Sequence, residues 1–226
     1  MIRRILRYAL ASLFILPAVL SLNSCGTAKD TRSQMVISVR DQRLLLVKDG
    51  QPVKSYVVST SKFGTGSRNG SNYTPLGKME VARKIGTGQP AGMVFKSRRP
   101  TGEVIKPNAP GRDPVVGRIM WLNGVEAQNQ NTFARCVYIH GTPEEWRLGA
   151  PASYGCIRMS MKDVVDLYDR IGEGAEVQVM RGSLRETSEG QEWVKLHPSS
   201  IPKPTIVLPT TPVPAAPTYG SSMAKL

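Results

Sequence analysis

The chain has 226 residues, 40% of them hydrophobic and 21% charged, which is the balance of an ordinary globular protein. Three cysteines are too few for a disulfide-built scaffold, two histidines too few for a His-rich metal site, and no series of apolar 20-mers marks a polytopic membrane protein. The formal net charge of +13 favours polyanions such as nucleic acid, anionic lipid or an acidic wall polymer, and by itself does not choose among them.

The chain opens with an address. Arg3, Arg4 and Arg7 form a positive region, and Tyr8 to Leu22 is apolar, broken only by Ser12, Pro17 and Ser21. That run is too short and wrongly flanked for a stable span and reads as a secretory signal over residues 1–24. Leu22-Asn23-Ser24-Cys25-Gly26 resembles a bacterial lipobox, which implies diacylation of Cys25 and cleavage before it. The plainer alternative is a signal peptide with Cys25 left free or removed. Gly26 rather than Asp after the cysteine points to the outer membrane in a Gram-negative cell. Acyl chains on Cys25 bind the membrane by burying many methylenes. Export also turns the positive charge away from nucleic acid and towards lipid head groups and wall polymers.

Residues 25–34 read as a polar tether. A β-rich pattern follows over 35–181, with strands expected at Met35–Val39, Leu44–Val47 and Val53–Val58, the last two joined by a tight Asp49-Gly50 turn. Residues 59–76, rich in Gly, Ser and Asn, read as a loop. Further strands are expected at Lys78–Ile85, Met93–Phe95, Val104–Ile105, Arg118–Leu122, Arg135–His140 and Ala175–Met180, and a short helical turn at Pro143. One helix is clear. Ser160 is its N-cap, Val164, Leu167, Tyr168 and Ile171 form one apolar face, and Gly172 stops it. The expected fold is mainly β, a sandwich or barrel-like domain with one main helix. Residues 182–197 form a C-terminal extension. From Pro198 to residue 226 the chain is dense in Pro, Thr, Ser and Ala with only Lys203 and Lys225 charged, and reads as a disordered tail.

With Cys25 set aside, Cys136 and Cys156 allow three chemistries: a disulfide, a zinc site with His140, or a nucleophilic Cys156 with His140 as base. Zinc fits poorly. On one strand Cys136 and His140 lie about 13 Å apart, at roughly 3.3 Å per residue, too far to share an ion. The disulfide needs only Cα atoms closer than about 7 Å and stays open. Cys156 nevertheless has the setting of a nucleophile. Gly155 admits a close backbone approach, successive N–H groups can bind an oxyanion, and Arg158 with the helix start at Ser160 favours a thiolate. Cys136 reads as a small buried apolar residue.

The stretch His140 to Met159, HGTPEEWRLGAPASYGCIRM, resembles the signature of the L,D-transpeptidase catalytic domain of the YkuD type. That signature is a histidine, a spacer of about fifteen residues, then Ser-x-Gly-Cys, an apolar residue and Arg or Asn. Here these are His140, Ser153, Gly155, Cys156, Ile157 and Arg158. Thr74-Pro75-Leu76-Gly77 resembles the family's Thr-Pro-x-Gly element, and the likeness runs from about Met35 to Met180. Tyr154 stands where many members have His, and Met161 where many have Asn. The resemblance implies acyl transfer on peptidoglycan stem peptides through a thioester on Cys156. His140 would be its base, the Gly141 carbonyl would orient that histidine, and N–H groups of Gly155, Cys156 and Tyr154 would hold the oxyanion. Arg158 would bind a substrate carboxylate or brace its loop. Ser153 and Tyr154 would shape the cleft, and Trp146 would wall the donor groove or simply pack. No metal or organic cofactor is implied. The rival functions are an L,D-carboxypeptidase or amidase using the same site, and a noncatalytic wall-binding lipoprotein.

Overall fold

The computed structural model describes residues 28–201. The signal segment with Cys25 and the tail from residue 202 lie outside the described residues. Ten strands form one mixed sheet. In chain order they are β1 (Ser33–Ser38), β2 (Arg43–Lys48), β3 (Gln51–Val57), β4 (Gly77–Ile85), β5 (Met93–Lys96), β6 (Arg99–Val104), β7 (Val115–Gly124), β8 (Tyr138–Gly141), β9 (Ile157–Met159) and β10 (Glu176–Met180). Two α-helices accompany them, α1 (Met161–Arg170) and α2 (Ser188–Leu196). The strand order is β3-β2-β1-β10-β4-β7-β5-β6, with β8 and β9 branching from β7. The mainly β fold with one main helix after Cys156 is thus borne out, its strands forming an open mixed sheet, with α1 as that helix and α2 as a second among the described residues.

The hydrophobic patterning explains why one sheet suffices. β1 and β2 read as nearly continuous apolar runs because both of their faces are covered, as in strands flanked by helices. Met35, Ile37, Leu44 and Leu46 pack towards α1, together with Met79, Val81, Met120, Leu122, Ile139 and Ile157. Val36, Leu45 and Val47 face the other way, onto Leu184, Ile201 and the partly buried Trp193 and Val194 of α2. A helix and the segment after it fill the place that a second sheet would take. Residues 182–197 therefore belong to the packed body, and the packed chain runs past Pro198 to Ile201, which is 1% exposed.

Local signals account for several elements. Asp49 and Gly50 both take positive φ, as the tight β2–β3 hairpin requires. The Ser160 side chain accepts the Asp163 N–H at 3.0 Å, the expected cap of α1, and Val164, Leu167, Tyr168 and Ile171 are all buried. The helix ends at Arg170, before Gly172. A 3-10 turn at Glu145–Arg147 follows Pro143. The strand expected over Arg135–His140 begins only at Tyr138, because Cys136 sits in a turn at φ 55°. Cys136 and His140 therefore do not lie on one strand, and the spacing of about 13 Å expected from a strand does not apply to them. β7 changes partners along its length. Val115 and Val116 pair with β5 and Ile119 to Gly124 with β4, while β8 pairs with Val116 and with Ile119 to Trp121.

Candidate active site

The site lies where β8 and β9 run parallel. Ile139 pairs with Ile157 and His140 with Arg158, so Cys156 at the entry to β9 comes level with Tyr138, on the same face as His140 and two residues from it in register. Both line a cavity of about 130 Å³ with Asp113, Ser153, Tyr154 and Arg158. Cys156 and Tyr154 also line a second cavity, of about 170 Å³, on the side of Gly70, Asn72, Arg135 and Cys136.

Both Cys136 and Cys156 are free thiols. The Cys156 Sγ accepts the Tyr138 N–H at 3.4 Å and points its own hydrogen at the Cys136 carbonyl, 3.6 Å away. Burial pushes the Cys156 thiol up to about 11, against the pull of the Tyr138 N–H. The expected thiolate is therefore corrected to a resting thiol. Burial is the main cause, and the charges of Arg135 and Arg158 pull the other way without offsetting it. Arg158 is itself engaged elsewhere. It is 2% exposed, and its guanidinium meets Asp113 and also Glu144, the latter at 2.9 Å, with Ser59 Oγ at 3.3 Å. Two carboxylates are its ion partners, so the sulfur is not. Arg158 thus ties the Asp113 and Glu144 segments to β9 through Nη1, with Nη2 on Ser59, while its buried Nε has no partner among the described residues.

His140 is 5% exposed, and its Nδ1 lies 2.8 Å from the Gly141 carbonyl. A carbonyl only accepts, so Nδ1 carries the proton and Nε2 is left with a lone pair. Burial holds the imidazole pKa below its usual value, with Arg158 adding to that effect and the Gly141 carbonyl and Asp113 opposing it. The ring is neutral at neutral pH, the state of a base. The unfolded chain takes up a proton near the ordinary histidine value that the folded chain refuses, so stability falls as pH drops below about 6.5.

The turn before the cysteine is held from three sides. Ser153, itself buried, accepts the Gly155 N–H at 3.2 Å and donates to the Cys156 carbonyl at 2.6 Å. Thr74 of the Thr-Pro-x-Gly element donates to the Gly155 carbonyl at 3.1 Å and accepts the Ser61 N–H at 3.0 Å. Gly155 takes φ 118°, and a Cβ there would lie 3.3 Å from the Tyr73 carbonyl oxygen, so both conformation and space call for glycine. Because its N–H is already bound to Ser153, Gly155 drops from the expected oxyanion donors. Among the described residues the Tyr154 and Cys156 N–H groups have no hydrogen-bond partner. Tyr154 is 64% exposed, with its hydroxyl 2.9 Å from Lys62 Nζ, which lowers its pKa. Trp146, at 72% exposure, lines neither cavity.

The model of the L,D-transpeptidase catalytic domain family, YkuD, matches residues 32–179, the sheet and α1 with the whole site. The chain belongs to that family. The curated relatives agree over a shorter stretch. The probable L,D-transpeptidase ErfK/SrfK of Escherichia coli K12 is 34% identical over 67 residues, 29% of this chain and 22% of that protein. The probable L,D-transpeptidase YbiS of the same strain is 28% identical over 67 residues, again 29% and 22%. The matched stretch thus spans about a fifth of these relatives. Among solved structures, an L,D-transpeptidase from Mycobacterium tuberculosis H37Rv is 18% identical with a TM-score of 0.44, covering 66% of this chain and 58% of that one. An L,D-transpeptidase from Xylanimonas cellulosilytica DSM 15894 is 21% identical with a TM-score of 0.43, covering 68% and 62%.

As a member of the L,D-transpeptidase family, the chain departs from the commoner motif at Tyr154 and Met161. Tyr154 projects to solvent beside Lys62, and Met161 is a buried residue of the first turn of α1, its N–H held by Glu145 Oε1 at 2.8 Å. Sequence reasoning missed Asp113 and Glu144, the two carboxylates that occupy Arg158. Asp113 lies in the extra length between β6 and β7, where nothing local marks it. A buried thiol predicts a distinct pH response. Alkylation of Cys156 by iodoacetamide, followed by peptide mass mapping, should keep rising about tenfold per pH unit through pH 9 to 10, where an ordinary cysteine with a pKa of about 8.5 levels off. A plateau below pH 8 would show a thiolate instead.

Proposed function

We propose that this protein is a peptidoglycan L,D-transpeptidase in which Cys156 is the nucleophile and His140 the general base. The reading rests on one observation above the others: a free thiol and a neutral, Nδ1-protonated imidazole lining one cavity. In the first half-reaction the Cys156 thiol passes its proton to His140 Nε2. The sulfur attacks the carbonyl of the third stem-peptide residue. The Cys156 and Tyr154 N–H groups receive the oxyanion, a form of stabilisation for which each donor typically contributes about 3 kcal/mol. His140 returns the proton to the departing amine of the terminal D-residue, leaving a thioester. In the second half an acceptor amine attacks the thioester, gives its proton to His140, and the sulfur leaves. A thiol near 11 suits this scheme, because the proton moves only once substrate and base are aligned.

The acceptor would be an amine of another stem peptide or of a protein to be attached, and the working site the cell envelope. The signal segment and the lipobox at Cys25 support export and a lipid anchor on the outer membrane. Among the described residues no helix is long and apolar enough to cross a membrane. Incubation with purified muropeptides followed by mass spectrometry tests the proposal. Cross-linked or amine-exchanged products are expected. Trimmed tripeptides alone would make it an L,D-carboxypeptidase, and unchanged muropeptides with folded protein would leave a noncatalytic wall-binding lipoprotein.

A further inference from the structure

Two arginines flank Cys156, and their surroundings differ. Arg158 faces the carboxylates of Asp113 and Glu144. Arg135 faces none. Its Nη2 donates to the Tyr73 carbonyl at 2.7 Å and its Nη1 to the Gly66 carbonyl at 3.2 Å, and among the described residues it has no acidic partner within ion-pair distance. It is half-buried, and burial lowers its pKa, with charge on the Cys156 sulfur the opposing influence. Arg135 lines the 170 Å³ cavity that also holds Cys156, Gly155 and Tyr154, and no carboxylate lines that cavity. Beyond it Arg98 donates to the Tyr138 hydroxyl at 3.2 Å and to the Cys136 sulfur at 3.7 Å, which adds a second positive charge without an acidic partner. A partly desolvated guanidinium with only neutral partners is a ready acceptor site for an anion, since a carboxylate restores the charge-assisted hydrogen bonds that burial removed.

We infer that Arg135 recognises the terminal carboxylate of the acyl donor, and that the cavity between Arg135 and Cys156 seats the D-residue that leaves. This rests on the L,D-transpeptidase reading and assigns a substrate group within it. The chemistry fixes the range. In the donor only the leaving nitrogen and one Cα separate the attacked carbonyl carbon from the terminal carboxylate, so that carboxylate must lie beside the nucleophile. On the His140 side Asp113 and Glu144 stand nearby, and a carboxylate there would meet like charge. On the Arg135 side it meets a guanidinium already fixed by two backbone carbonyls, so little rotamer freedom remains to be lost on binding.

The test compares two donors, a tetrapeptide stem with a free C-terminal carboxylate and the same stem as its C-terminal carboxamide, by kcat/KM for release of the terminal residue. Wild type, Arg135→Gln and Arg135→Lys are measured on both. The wild type should prefer the carboxylate by roughly tenfold to a hundredfold, the size of one lost hydrogen bond to a charged group. Arg135→Gln should bring the two donors within about threefold of each other by losing the carboxylate donor alone, and Arg135→Lys should retain part of the preference. The ratio is independent of how much variant is folded, so loosening of the Gly66–Tyr73 segment lowers both donors together and leaves it unchanged. An unchanged ratio in Arg135→Gln, or a wild type indifferent to the carboxamide, overturns the assignment while leaving the transpeptidase reading standing. A wild type that consumes neither donor removes that reading as well.

Discussion

Replacing Cys156 by alanine is expected to lower consumption of a tetrapeptide donor by on the order of 10⁴-fold or more, while Cys136→Ala leaves it within about threefold. The contrast follows from what each residue offers. Cys156 lines both cavities and shares one of them with His140. Cys136 touches the nucleophile through its backbone carbonyl, which alanine keeps, and its own sulfur is turned to Arg98 Nη1 at 3.7 Å, the Ala134 carbonyl at 3.9 Å and the Tyr138 side chain. Kinetics of terminal-residue release on the two purified variants decides the matter. Equal loss in both would mean that the pair acts together, as a disulfide or a shared site.

Arg158→Met is the second substitution with a large expected effect, on stability. The guanidinium is buried between Asp113 and Glu144, and methionine fills the space without the charge. Glu144 keeps Arg147 at 3.0 Å, but Asp113 keeps only the Thr142 hydroxyl. An uncompensated, partly buried carboxylate typically costs about 3 kcal/mol. Urea unfolding should show that loss, and adding Asp113→Asn in the same chain should recover part of it, since the stranded charge is then gone. A loss under about 0.5 kcal/mol would mean that the ion pair contributes as little as an exposed one.

The elements that were legible in the sequence are those whose cause is local. Asp49-Gly50 sets its hairpin through the two residues alone, and Ser160 with the Val164, Leu167, Tyr168 and Ile171 stripe sets α1. The turn at Cys136 has no such mark: Val137, Tyr138 and Ile139 look like a longer strand, and only the pairing of β8 with β7 decides where it starts. β6 is exposed along its whole length, so no alternation of apolar residues announces it. α2 carries Gly190 inside it, a poor helix former. A Cβ there would lie 1.8 Å from the Leu184 carbonyl oxygen, so close packing against the preceding turn explains the glycine.

The site divides in the same way. His140, Gly155 and Cys156 are readable because the chemistry requires those residue types at that spacing. The charge state of the sulfur is not, since it depends on partners that meet only in three dimensions. Arg158 looks like a cation free to pair with a thiolate until Asp113, forty-five positions away, is found on it, and burial of the sulfur outweighs its pull. Arg135, which lies before β8 and outside the motif, lines a cavity with Cys156 and has no such partner among the described residues. Likewise the Gly155 N–H looks available to an oxyanion until Ser153 is seen to hold it.

The central claim is that the Cys156 sulfur, prompted by His140, opens an acyl group and keeps it. Intact-protein mass spectrometry after incubation with a carbapenem, with peptide mapping of the adduct, tests it most directly. The account predicts one stoichiometric adduct on Cys156, absent in Cys156→Ala and formed far more slowly in His140→Ala. Folded protein that stays unmodified, or an adduct mapped to Cys136, would contradict it.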